Sequence, residues 1–75
     1  MPFIHIYALG GRDLETKKKT ADAIVKTASE IMGAPESVFT VAYEEFEREN
    51  WESDVVKPVI EPLRDKLLIE RGKQV

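Results

Sequence analysis

The sequence predicts an α/β (α+β) fold, in which a single β-α-β unit with parallel strands is followed by a C-terminal helix. Two stretches of strand-like alternation, Phe3–Leu9 and residues 38–46, flank a long amphipathic helix. The connections are short, which favours a right-handed crossover and therefore parallel pairing. Because two strands alone do not make a stable sheet, we expect a second subunit to complete it.

The first strand and the helix have clear boundaries in the sequence. Phe3–Leu9 is aromatic and aliphatic, and the glycines after it end the strand. Asp13 is placed to cap a helix over Leu14–Met32, because its carboxylate can accept the free amides of the first turn. Gly33 fits a left-handed C-cap, and Pro35 blocks further helix. The apolar positions of this helix, three and four residues apart, are Ala21, Ile24, Val25, Ala28, Ile31 and Met32.

The C-terminal part predicts a second amphipathic helix interrupted by prolines. Residues 47–50 are polar and predict a loop leading into Trp51. Pro58 and Pro62 lie within the apolar repeat that follows, although proline fits a helix only in its first turn. We therefore expect a short turn before Pro58, a main helix bent near Pro62, and a frayed tail over residues 71–75. The repeat itself consists of Val55, Val59, Leu63 and Leu67.

Composition limits the possible functions. The chain has 75 residues, 43% of them hydrophobic, so residues 1–75 predict a single globular domain. It has no cysteine and one histidine, which excludes disulfides and thiolate chemistry, and no cofactor or metal motif is present. A net charge of −3 argues against nucleic acid, and neither a signal peptide nor a membrane span is visible, so we expect a cytoplasmic protein. So small a core favours self-association.

Pro2 is the most informative candidate for chemistry. If Met1 is removed, proline becomes the N-terminal residue, and its secondary amine can accept a proton. Such an amine is neutral at pH 7 only if its pKa is depressed, which apolar burial or a nearby cation would achieve. Phe3 and Trp51 could supply the apolar walls, and Arg12 the cation. The alternative is that proline merely follows the initiator methionine.

Other candidates have structural alternatives of their own. Arg12 follows Gly10-Gly11 at the junction of strand and helix, where it could hold a carboxylate or simply be a solvated side chain. Trp51, the only tryptophan, is either a core residue or a pocket wall. His5 lies within a strand and is most simply structural.

Taken together, these features resemble the tautomerase superfamily, specifically the small 4-oxalocrotonate tautomerase family. The resemblance covers nearly the whole chain. It includes Met1-Pro2 opening a strand, Gly11-Arg12 at its end, the sequence Ala34-Pro35-Glu36-Ser37-Val38 after the helix, and Glu49-Asn50-Trp51 after the second strand. The C-terminal stretch is closest to the tautomerase PptA subgroup, in which a helix stands where shorter relatives have a β-hairpin.

The resemblance implies a cofactor-independent isomerase that interconverts keto and enol forms of a small unsaturated 2-oxo or 2-hydroxy acid. Pro2 would be the general base, Arg12 would bind the substrate carboxylate, and Trp51 would line the pocket. Relatives that hydrate or dehalogenate acids with the same proline, and an inactive oligomerisation or ligand-binding module, are the alternatives.

The resemblance also bears on substrate and assembly. A second family arginine would fall at Phe39 or Thr40, neither of which is charged, so a monocarboxylate with an aromatic tail such as phenylenolpyruvate fits better than a dicarboxylate. Family members form dimers or hexamers. We expect a homodimer because the helix replaces the hairpin that joins dimers, while a homohexamer (a trimer of dimers) is the other possibility.

Overall fold

Two parallel strands and the helix between them build the N-terminal part of the protein. A computed structural model describes all 75 residues, Met1–Val75. Strands β1 (Phe3–Leu9) and β2 (Thr40–Phe46) form a two-stranded sheet, and helix α1 (Leu14–Met32) is the crossover between them. The amide of Thr40 donates to the carbonyl of Pro2 at 3.1 Å, which pairs the starts of both strands and is consistent with their parallel pairing. The predicted β-α-β unit is confirmed.

Helix α1 begins and ends where the sequence predicts. The Asp13 carboxylate accepts a hydrogen bond from the Thr16 amide at 2.8 Å, as an N-cap does. At the other end Gly33 adopts φ 69° and donates its amide to the Ser29 carbonyl at 3.0 Å. This left-handed conformation favours glycine, which has no Cβ to clash with the backbone.

The two faces of the β1–β2 sheet differ in what covers them. Lys17 of α1 lies 2.6 Å from Glu45 and 5.6 Å from the ring centre of Tyr43, so α1 covers the face that these two residues share. Glu44 points to the opposite face, where its carboxylate lies 2.7 Å from Nε2 of His5. Despite this short distance, Nε2 of His5 has no partner that meets hydrogen-bond criteria. The His5 ring stacks at 4.0 Å on Tyr7.

The second strand starts later than predicted. We expected a strand over residues 38–46, whereas Glu36–Val38 forms a 3₁₀ turn and β2 begins at Thr40. The cause is local, because the amides of Val38 and Phe39 donate back to the carbonyls of Pro35 and Glu36. These amides are therefore not available to pair with β1.

The chain divides into two compact units, Met1–Glu45 and Phe46–Val75, and the second is mostly helical. A 3₁₀ turn, Arg48–Asn50, precedes a π-helix, Glu52–Ile60, which passes directly into a 3₁₀-helix, Glu61–Lys66.

The expected turn before Pro58 is wrong, because Pro58 lies inside the π-helix. In an α-helix the proline ring would clash with the carbonyl four residues earlier. A π-helix is wider, and its amides bond to the carbonyl five residues earlier, as the Glu61 amide does to the Val56 carbonyl. Pro62 does mark a change, since it lies in the first turn of the 3₁₀-helix.

The C-terminal tail is not frayed. Strands β3 (Ile69–Glu70) and β4 (Lys73–Gln74) form an antiparallel hairpin. Its turn residues Arg71 and Gly72 have φ of 52° and 84°, the left-handed values that tight hairpins require. A hairpin therefore follows the helix instead of being replaced by it, which removes the reason given above for preferring a dimer to a hexamer.

Burial within one chain is limited. Val55 of the π-helix is the one fully buried side chain, at 1% exposure. Exposed large apolar side chains include Phe3, Leu14, Ile31, Met32, Leu68 and Ile69. So small a core is consistent with a chain that needs a partner subunit. None of its helices combines the length and hydropathy needed to cross a membrane.

Candidate active site

Pro2 lies immediately before β1 and is half-buried. Proline suits the first position of a strand because it lacks the amide that a ladder bond would need there. Its carbonyl accepts the Thr40 amide, which fixes the residue against the start of β2. Met1, by contrast, is 99% exposed, so its removal would break almost no packing contacts within the chain.

Arg12 lies beyond the other end of β1, in the connection to α1. Its Nη1 donates to the Leu9 carbonyl at 3.3 Å, and no carboxylate lies within ion-pair distance. Gly11 precedes it with φ 118°, a conformation that side chains with a Cβ rarely adopt. The guanidinium is exposed, and its remaining N–H groups can bind an anion.

One chain does not bring Pro2 and Arg12 together. Nine residues lie between them, and the seven that form β1 alone span roughly 23 Å at about 3.3 Å per residue. A small acid cannot contact both groups across that distance. If both act on one substrate molecule, the arginine must come from a second copy of the chain.

Neither of the positions expected for a second arginine carries a charge. Phe39 ends the 3₁₀ turn, and Thr40 starts β2 beside Pro2. No group of three or more His, Asp or Glu side chains could hold a metal ion.

Trp51 lies in the C-terminal unit, at the start of the π-helix. Its ring meets Phe46 edge-on, with ring centres 6.4 Å apart and planes at 80°. Trp51 also forms part of the wall of a cavity of about 680 Å³ within this unit. The remaining lining residues are Glu52, Val56, Ile60, Arg64, Leu67, Ile69, Glu70 and Arg71.

Sequence reasoning missed the two arginines of this cavity. Arg64 is on the 3₁₀-helix and pairs with Glu70 of β3 at 2.5 Å, and Arg71 is in the hairpin turn. Their place in one cavity depends on the hairpin, whose second half lies in residues 71–75, which we expected to be frayed. The signal that could have revealed it was the turn dipeptide Arg71-Gly72 between the short stretches Ile69-Glu70 and Lys73-Gln74.

These features define a class of small α/β proteins, in which a proline precedes the first strand of a parallel β-α-β unit and an exposed arginine lies where that strand meets the helix. The chain belongs to the Tautomerase family, whose model, described as "Tautomerase enzyme", matches residues 2–57. It is also 31% identical over 72 residues to a "Probable tautomerase" from Xylella fastidiosa (strain 9a5c), covering 96% of this chain and 88% of that protein. The resemblance to the tautomerase superfamily is thereby confirmed.

Proposed function

We propose that this protein is a cofactor-independent keto–enol tautomerase, an isomerase acting on a small unsaturated 2-oxo or 2-hydroxy acid. The observation that carries the proposal is the family match, which begins at Pro2 and extends beyond Trp51. The similar protein from Xylella fastidiosa is likewise described as a probable tautomerase. Residues 1–75 would act as one tautomerase-like domain.

Pro2 is the proposed general base. Once Met1 is removed, its nitrogen is a secondary amine rather than an amide. In its neutral form the amine takes the proton from the enol oxygen. The protonated amine then gives a proton to the alkene carbon that does not bear this oxygen, so the enol becomes a ketone and the neutral amine is regenerated. Partial burial of Pro2 favours the neutral amine, because desolvation penalises the charged form.

Arg12 is the proposed carboxylate ligand, supplied by a partner subunit. If two copies pair their β1 edges about a two-fold axis, the strands run antiparallel, so the start of one lies beside the end of the other. The roughly 23 Å between Pro2 and Arg12 in one chain would then be bridged in the pair, and the sheet would gain the strands it lacks. The partner is therefore a second copy, in a homodimer or in a homohexamer built from such dimers.

The proposed substrate has one carboxylate and an aromatic tail. Phe39 and Thr40 carry no charge, so a second carboxylate would meet no fixed cation at that position. Trp51 is the proposed aromatic wall for the tail. Phenylenolpyruvate is the model substrate, and 2-hydroxymuconate is the matched dicarboxylate.

Ketonisation of phenylenolpyruvate, followed by its ultraviolet absorbance, tests the proposal. We expect intact mass to show loss of Met1 and Pro2→Ala to lower kcat/KM by about 10²–10⁴-fold. Arg12→Gln should lower kcat/KM by about 10–100-fold, because hydrogen bonds to a charged group are lost. Arg48→Gln, which removes an exposed arginine of the other unit, is the matched control and should retain the wild-type rate.

A second variant avoids the ambiguity that the primary amine of the Pro2→Ala protein could partly replace that of proline. An extra residue retained before Pro2 makes its nitrogen an amide and should abolish turnover. Full activity in that variant would contradict Pro2 as the base, whereas no turnover above the uncatalysed rate in the mature wild type would favour the alternative of an inactive tautomerase-fold module. Faster turnover of 2-hydroxymuconate than of phenylenolpyruvate would contradict the proposed substrate but not the proposed base.

A further inference from the structure

The cavity of the C-terminal unit combines a largely apolar wall with two arginines and two glutamates. Its volume of about 680 Å³ lies within the usual range for small-molecule sites. Apolar side chains form most of its wall, with the indole of Trp51 as the largest. The other apolar lining residues are Val56, Ile60, Leu67 and Ile69.

Four charged side chains line this cavity, and two of them neutralise each other. Arg64 Nη1 and Glu70 Oε2 lie 2.5 Å apart, and this contact raises the pKa of Arg64 above its ordinary value. Glu52 is in the first turn of the π-helix, where the helix dipole stabilises a negative charge. Arg71 has no acidic group within ion-pair distance. The cation without a counter-ion is therefore Arg71.

The backbone around Arg71 holds it in a defined position. It occupies the first position of the hairpin turn at φ 52°, between the paired residues Glu70 and Lys73. Arginine is not a residue that such a turn prefers, since asparagine, aspartate and glycine adopt this conformation at lower cost. Turn geometry alone therefore does not account for an arginine at this place.

We propose that this cavity binds a small monocarboxylate with an aryl or alkyl body, the acid on the guanidinium of Arg71 and the body against Trp51. The guanidinium of Arg71 can hold a carboxylate through two hydrogen bonds. An aromatic body is stabilised by packing against the indole of Trp51. Glu52 disfavours a second negative charge, which selects monoanions over dianions.

This inference goes beyond the proposed tautomerase activity. The family match ends at residue 57, so Arg64, Arg71 and the hairpin lie outside what it covers. The binding step requires neither the Pro2 nitrogen nor turnover. Because Trp51 is also the proposed wall of the tautomerase site, the Arg12 and Arg71 variants are needed to distinguish binding at the two sites.

Trp51 provides the readout, because it is the only tryptophan and forms part of the cavity wall. We titrate the full-length protein with 3-phenylpropionate, which hardly absorbs at 295 nm, and follow indole fluorescence. Arg71→Asn should weaken binding by about tenfold or more, as expected for the loss of a charge-assisted hydrogen-bonded pair. Asparagine tolerates the left-handed turn, so the hairpin is retained. Arg48→Gln should bind as the wild type does.

The second part of the experiment varies the charge of the ligand. The neutral 3-phenylpropan-1-ol should bind the wild type no more tightly than 3-phenylpropionate binds the Arg71→Asn variant. The proposal is overturned if Arg71→Asn leaves the affinity unchanged, if the alcohol binds as well as the acid, or if 2-phenylethylamine binds best, which would make Glu52 the anchor. Loss of binding in Arg12→Gln with normal binding in Arg71→Asn would also overturn it, because the signal would then belong to the Arg12 site.

Discussion

The two units of this protein differ in how their structure is specified. In Met1–Glu45, each boundary depends on one or two neighbouring residues: a capping aspartate begins α1 and a left-handed glycine ends it. In Phe46–Val75, two prolines stand where an α-helix would exclude them, and the chain adopts π and 3₁₀ geometry instead. Local signals thus define the first unit, whereas helix geometry and packing define the second.

The two units also differ in how far they bury their apolar side chains. The N-terminal unit has no fully buried side chain, and each of its apolar residues keeps part of its surface exposed in the single chain. The C-terminal unit has one, Val55, on the π-helix. The more regular unit is therefore the one with the poorer core, which is why it is expected to depend on a partner subunit.

Truncating a valine in each unit gives the largest expected change in stability. Val55→Ala should lower the free energy of unfolding by about 2 kcal/mol, because the lost methyl groups leave a cavity that neighbours fill only partly. Val25→Ala, at a half-buried position of α1, should cost less than half of that, since alanine also has the higher helix propensity. Urea denaturation followed by circular dichroism measures both.

The exposed Val75→Ala serves as the control and should be neutral. A Val25→Ala loss that equals or exceeds the Val55→Ala loss would contradict the burial order of the single chain. If that excess grew with protein concentration, it would indicate that self-association buries the outer part of α1.

The sequence predicted most of the β-α-β unit and little of the hairpin, for physical reasons. Asp13 and Gly33 act through hydrogen bonds that span three or four residues, so their neighbours suffice to interpret them. Arg71-Gly72 is a turn only because the short strands on either side pair. Strands of two residues have almost no alternation to detect.

Candidate site residues followed the same division. Pro2 and Arg12 could be named from the sequence because they flank a strand with clear ends. Their separation of roughly 23 Å follows from the seven-residue strand between them, whose bounds the sequence also predicted. Arg64 and Arg71 escaped notice because helix and hairpin must both form before they line one cavity.

Glycine substitutions test whether the N-terminal unit is specified locally, with a smaller expected effect. Gly33→Ala should destabilise the fold by about 1 kcal/mol, because alanine is strained at φ 69°. No atom lies within 4 Å of the added Cβ, so backbone strain is the only cost. Gly10→Ala has the same open space without a positive φ and should be close to neutral. Equal effects of the two substitutions in thermal melts would show that conformation at Gly33 does not limit stability.

The smallest expected effect is a pH dependence at the start of α1. Hydrogen bonding by Thr16, aided by the charge of Lys17, holds the pKa of Asp13 below its usual value. A carboxyl group with a lowered pKa stabilises the fold above its unfolded pKa of about 3.9 and loses that contribution as pH falls through the folded value. An asparagine at the same position caps a helix about as well as aspartate but does not titrate.

The difference in Tm between the wild type and Asp13→Asn isolates this one carboxylate, because every other titrating group is common to both. It should favour the wild type slightly at pH 7, stay constant down to about pH 4, and shrink or reverse as the pH falls further. Asp22→Asn, which changes an exposed carboxylate in the middle of α1, is the matched control and should give no such trend. A pH-independent difference for Asp13→Asn would mean that the cap acts through hydrogen-bond geometry alone, with no contribution from its charge.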